Sequence, residues 1–115
     1  MTTPRALALA GSLLFTAAGC GPGVRVVVSN ESGARLTGLC ILGEKDSTRV
    51  RDLAPGESVV VAARVHGEDE IVLRGLCDGR ALRPAMGAYV EPGYGVRLAV
   101  EPTGAVRVTV RSTGY

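Results

Sequence analysis

The chain of 115 residues is one domain's worth and leaves little room for a second. Its 13 basic and 11 acidic residues give a formal net charge of +2 and are spread along the sequence, which offers nucleic acid no basic block and has no acidic tail. Hydrophobic content is 46% but aromatic content only 3%, with no Trp, so a core must be built mainly from Val, Leu, Ile and Ala.

The N-terminus is a different material from the rest of the chain. "MTTPR" carries one positive charge, Arg5, and "ALALAGSLLFTAA", Ala6 to Ala18, carries none. A charged tip, an apolar middle and small residues at its end form the layout of an export signal. The apolar run of 13 residues is well short of the roughly 20 that a membrane-spanning helix needs. Ala17-Ala18-Gly19 then lead directly into Cys20. This stretch resembles the lipobox of bacterial lipoprotein precursors, a small or aliphatic residue followed by two small residues and an obligatory Cys. The resemblance covers residues 1–20 and departs from the usual pattern at Ala17, where members of the family mostly carry Leu. It implies removal of a signal peptide, residues 1–19. Cys20 then becomes the first residue of the mature protein, with a diacylglyceryl group on its thiol and fatty acyl chains such as palmitate as the anchor. Two or more chains on one residue suffice for stable attachment to a membrane. Gly21-Pro22-Gly23 cannot extend a helix or a strand ladder, so residues 20–23 read as the lipidated Cys and a flexible tether. Gly21 stands where enterobacterial members retained in the inner membrane carry Asp. That difference points to the outer membrane where the organism has one; the expected place is the cell membrane or outer membrane, facing the periplasm or the exterior.

From residue 24 to residue 115 apolar and polar residues alternate, with turn signals between the runs, and the frequent valines suit a pleated surface. Val24, Val26 and Val28 share one face, and "SNESG" turns the chain. Leu36 to Leu42 is strand-like, "GEKDS" turns again, and a short segment near Arg49 to Leu53 leads into the turn around Pro55-Gly56. Val59, Val61, Ala63 and Val65 alternate up to "HGEDE", after which Ile71 and Leu73 share a phase with Cys77. Ala88 and Val90 form a short strand ended by "EPGYG". Val96, Leu98 and Val100 face one way, and Val106, Val108 and Val110 repeat the arrangement after "EPTGA". A three-residue loop, Pro102-Thr103-Gly104, sets Val100 opposite Val106, Leu98 opposite Val108 and Val96 opposite Val110. Seven to eight short strands without a helix predict an all-β domain, a small antiparallel β-sandwich of immunoglobulin-like or transthyretin-like architecture.

With Cys20 lipidated, Cys40 and Cys77 remain, in the similar settings "LTGLC" and "LRGLC". An even pair in an exported protein reads as a disulfide. A metal site would need two more Cys or His in reach.

Chemistry is sparse. The one histidine, His66, has Glu68, Asp69 and Glu70 nearby for a metal or acid–base site. A polar hairpin loop between two strands accounts for the same residues with less, and no HExxH or GxSxG is present. Arg97, Arg107 and Arg111 alternate outward and suit lipid headgroups or another anionic surface. An ordinary solvated face balanced by Glu91 and Glu101 is the plainer reading. Tyr89, Tyr94 and Tyr115 are too few for an aromatic platform. Tyr89 and Tyr94 flank the Pro92-Gly93 turn, as a small contact site or as cover for a sheet edge. The sequence therefore reads as a lipid-anchored envelope protein with a binding or structural domain, no catalysis, no cofactor and no metal. Its partners would be the membrane, through Cys20, and a protein of the envelope. The alternative is a small inhibitor or immunity-type lipoprotein that blocks an exported hydrolase through a protruding loop. A hydrolase is the weakest reading, because acid–base and nucleophile candidates are so few.

Overall fold

The computed structural model describes residues 23–84 and 87–112. The expected signal peptide 1–19, Cys20 and Tyr115 lie outside the described residues. Ten strands occur in the order β1 (Gly23–Asn30), β2 (Leu36–Leu42), β3 (Ser47–Arg49), β4 (Ser58–Arg64), β5 (Asp69–Cys77), β6 (Arg80–Ala81), β7 (Arg83–Pro84), β8 (Ala88–Val90), β9 (Gly95–Val100) and β10 (Ala105–Arg111), and no helix occurs among the described residues. Gly23, expected to belong to the tether, already pairs with Arg64.

The strands form two sheets. One has the order β4-β1-β9-β10-β7; the other has the order β3-β2-β5-β6, with β8 also paired to β5. The chain passes from β6 in the second sheet to β7 in the first and back to β8. The expected purely antiparallel arrangement needs correcting, because the first sheet is mixed. β1 runs parallel to β9, and β7 runs parallel to β10. Nor do β4 and β5 pair with each other as a hairpin would, since β4 pairs β1 and β5 pairs β2. The loop between them crosses from one sheet to the other.

One apolar core lies between the sheets. Val24, Val26 and Val28 of β1 and Val96, Leu98 and Val100 of β9 meet Leu36, Leu39, Ile41, Ile71 and Leu73 of the other sheet. Fully burying one such side chain stabilises by roughly 1.5–3 kcal/mol, so this layer outweighs any exposed ion pair. The β9–β10 hairpin has the expected register, with Val100 opposite Val106, Leu98 opposite Val108 and Val96 opposite Val110. Gly104 N–H donates to the Glu101 carbonyl at 2.8 Å, and Gly104 then takes φ +86°, the left-handed value that closes a three-residue loop.

Cys40 and Cys77 are free thiols, which corrects the expected bridge. The pairing of β2 with β5 explains why. Thr37 stands opposite Leu76 and Cys40 opposite Arg74, so Gly38 and Leu39 share the single opposing residue Gly75 in a β-bulge. A Cβ on Gly75 would come within 2.7 Å of Leu39 Cδ2, so the glycine is what lets Leu39 fold inward over it. The bulge reverses the phase of β2. Leu39 and Ile41 turn into the core, while Cys40 shares the outer face with the exposed Arg74. Cys77 lies opposite the buried Leu36 and packs against the core. The two thiols therefore lie on opposite faces and three positions apart along the ladder, about 10 Å at the usual rise, beyond the Cα separation a disulfide spans. The matching glycines serve the bulge rather than the cysteines.

The end of β1 is held by a buried carboxamide. Asn30, 1% exposed, donates through Nδ2 to the carbonyls of Ala34 at 2.7 Å and Leu53 at 3.1 Å. Its Oδ1 accepts from Ser32 N–H at 3.0 Å and Ser32 Oγ at 2.6 Å.

Two outcomes are expected. Asn30→Ala strands polar groups at the junction of the sheets and should cost about 3 kcal/mol, read as a lower urea midpoint at unchanged slope. Alkylation of the unfolded protein without reductant should label both Cys40 and Cys77; a linked Cys40–Cys77 peptide would contradict the register of β2 with β5.

Candidate functional site

The edge of the molecule where β1 begins collects most of the titratable groups that the sequence singles out. β4 ends there opposite Gly23, and the crossing loop carries His66 towards the β2–β3 turn. His66 Nε2 lies 2.7 Å from Asp46 Oδ2, with both side chains exposed. Asp69 is buried, and one of its carboxylate oxygens is held by backbone. Its Oδ1 accepts from Glu44 N–H at 3.0 Å and from Glu70 N–H at 2.7 Å. Gly43 lies close against it, because a Cβ there would sit 2.8 Å from Asp69 Oδ2. Glu68 Oε1 accepts from the Tyr89 hydroxyl at 3.2 Å, and this bond, with the Glu68 charge, raises the Tyr89 pKa above its ordinary value. The Glu70 side chain covers Gly87, where a Cβ would come within 2.5 Å of its Cγ. His66, Glu68, Asp69 and Glu70 thus each engage a different neighbour and do not converge on one point. Among the described residues no group of three or more His, Cys, Asp or Glu is placed to hold a metal ion.

The two described tyrosines divide their roles. Tyr94 packs against the core, and the Glu91–Tyr94 turn is tied to β1, Gly93 N–H donating to the Gly23 carbonyl at 3.0 Å. Tyr89 stands exposed beside Glu70.

The outer face of the sheet β4-β1-β9-β10-β7 is a strongly charged surface. Across it run Ala62, Arg25, Gly95 and Arg111 in one row, and Val60, Val27, Arg97 and Thr109 in the next. Ser58, Ser29, Ala99 and Arg107 follow, and Arg64 stands opposite Gly23 at the margin. Arg107 is held by Glu101 at 2.6 Å and Glu31 at 3.0 Å, and these carboxylates raise its pKa further. Glu101 therefore balances Arg107, as the plainer reading expects, but Glu31 joins it from the end of β1. Glu91 lies in the turn next to Gly23. Arg25 and Arg64 are members of this face that alternation alone cannot reveal. Both occupy outward positions in their strands, but only the pairing of β1 with β4 and β9 puts them on one face with Arg97, with Arg25 diagonal to it and Arg64 at the margin.

Away from this face, Glu57 closes the Pro55-Gly56 turn by accepting from Ala54 N–H at 2.8 Å and from Arg51 at 3.3 Å. The Ala54 bond and then the Arg51 contact hold its pKa below the ordinary 4.5. Its stabilisation is therefore present above that value and lost as pH falls through the lower, folded one.

A structural role for Asp69 and a peripheral one for His66 predict unequal costs. Asp69→Ala should destabilise by about 2 kcal/mol, because two backbone donors lose their acceptor, whereas His66→Ala should change stability by no more than about 0.5 kcal/mol. Paired urea titrations check this, and equal losses would contradict the assignment.

No protein-family model and no curated protein matches the chain. The fold is similar to that in a solved structure titled "NMR structure of the protein from Eubacterium rectale", at 12% identity and a TM-score of 0.56, covering 79% of this chain and 90% of that one. At that identity the likeness is one of fold.

Proposed function

We propose that this chain is the precursor of an exported lipoprotein, anchored in the cell envelope through acyl chains on Cys20, whose domain binds or supports rather than catalyses. The observation that carries the reading is the run from Arg5 through the uncharged Ala6 to Ala18 into Ala17-Ala18-Gly19-Cys20. A 13-residue apolar run cannot span a bilayer, yet it suits an export signal that is removed. The position of β1 is in keeping with this, because its first residue, Gly23, follows Cys20 by only three positions. Among the described residues no helix is long and apolar enough to cross a membrane.

We read the domain as a β-sandwich of immunoglobulin-like or transthyretin-like kind. Two sheets around one aliphatic core support that reading. The non-catalytic reading is supported by the use of the polar groups. Asp69 anchors backbone, His66 pairs with Asp46 in the open, and Glu68 holds Tyr89.

Intact mass spectrometry of the protein taken from the envelope tests the anchor. The expected species begins at Cys20 and carries acyl mass, and it stays with membranes at high salt because buried acyl chains are not screened. Cys20→Ser should abolish the acyl mass and leave either uncleaved precursor or soluble protein. A mature start elsewhere, or an unmodified Cys20, would overturn the proposal.

A further inference from the structure

We propose that the outer face of the sheet β4-β1-β9-β10-β7 lies against the membrane, with Arg25, Arg64 and Arg97 meeting the phosphates of anionic lipid headgroups. This rests on Cys20 carrying the anchor, and it concerns how the domain sits once anchored.

Three features of the structure point the same way. The first is where the chain leaves the domain. β1 is an inner strand of that sheet, flanked by β4 and β9, and Gly23 is its first residue. Three positions separate Gly23 from Cys20, which at full extension is a reach of about 10 Å. An anchor on so short a leash keeps this edge of the sheet close to the headgroups.

The second is the chemistry of the face. Arg64, Arg25 and Arg97 are exposed on three different strands of one face and step away from the exit point, Arg64 opposite Gly23, Arg25 two positions on, and Arg97 opposite Val27. Arg111 belongs to the same row as Arg25, across Gly95. Arginine suits phosphate, because its planar fork donates two parallel hydrogen bonds to oxygen. Between the arginines lie Val27 and the 45%-exposed Val60, an apolar strip fit for the headgroup boundary. Carboxylates on this face sit at the far end, where Glu31 and Glu101 are taken up by Arg107.

The third is where the other acids lie. Near the exit point Glu91 occupies the turn before β9. Glu44, Asp46, Glu68, Asp69 and Glu70 belong to the β2–β3 turn, the crossing loop and the start of β5, on the side of the second sheet. An anionic surface repels that side and attracts the arginine face, so the charge separation selects one way for the domain to lie down. The second sheet has outward arginines too, Arg49 and Arg74 on either side of Cys40, but they stand on the face turned away.

Arginine modification by phenylglyoxal, mapped by mass spectrometry, tests this on the full lipidated protein. Acylation of Cys20 is established on the same sample first. The protein is reconstituted into vesicles of phosphatidylcholine alone and into vesicles rich in phosphatidylglycerol. The expected result is modification of Arg25, Arg64 and Arg97 about fivefold slower in the anionic vesicles, with Arg49 and Arg74 unchanged. Salt at about 1 M, where the screening length is near 3 Å, should remove the protection. Equal rates in the two vesicle types on acylated protein overturn the docking proposal and leave the anchor standing. Protection that extends to Arg49 and Arg74 also overturns it, because the contact is then not confined to one face. Absence of acyl mass on Cys20 removes the premise and the proposal together.

Discussion

A carboxamide shut away from water must find partners for both its oxygen and its nitrogen, and Asn30 finds them in two segments, the turn that follows β1 and the stretch before β4. Its nitrogen reaches the carbonyls of Ala34 and Leu53, and its oxygen takes both donors of Ser32. Leu53 is in turn bonded in both directions to Leu36, the first residue of β2. One side chain therefore joins the end of an inner strand of one sheet to the beginning of an inner strand of the other. The main chain around it is bonded as well, Asn30 N–H to the Glu57 carbonyl at 2.9 Å and Gly56 N–H to the Asn30 carbonyl at 2.9 Å. Aliphatic packing is non-directional, and a core of valines and leucines tolerates sliding. A saturated polar junction supplies the direction that such a core lacks.

Polar side chains elsewhere divide by how much of the backbone they hold. Asp69 is buried and organises the β2–β3 turn, whereas the exposed ion pairs of Arg35 with Asp52 and Arg51 with Glu57 are of the kind that contributes little. Carboxylates are the more localised charge. Arg25, Arg64, Arg97, Arg107 and Arg111 lie on the outside of the sheet that contains β1, and carboxylates gather in the loops at one edge of the other sheet. Neither concentration is visible in a net charge of +2.

Local periodicity makes a good part of this fold legible in the sequence. The inward rows Val24, Val26, Val28 and Val96, Leu98, Val100 follow from simple alternation, and all are buried. The register of the last hairpin follows from counting the residues between Val100 and Val106 and from Gly104 at the left-handed position. What is not legible depends on partners distant in sequence. No local signal tells β1 that its second neighbour is β9, running parallel, so neither the mixed sheet nor the meeting of Arg25 with Arg97 can be read in advance. The Cys40–Cys77 pairing fails for a related reason. Spacing takes β2 as a regular strand, and the extra residue at Gly38 and Leu39 turns Cys40 to the other side. Asn30 hides in "SNESG", where a turn alone explains its presence.

The parallel ladder between β1 and β9 also governs the order in which the molecule can be completed. Arg25 and Gly95 are neighbours in space but about 70 positions apart along the chain. Contacts of such long range are closed late, because the entropy of the intervening loop is lost before the contact repays it. β1 can pair with β4 beforehand, but its other hydrogen-bonding edge stays open until β9 has arrived. The valine-rich strand at the start of the domain is thus the last to be enclosed. Over that interval it is the segment most open to pairing with another copy of itself.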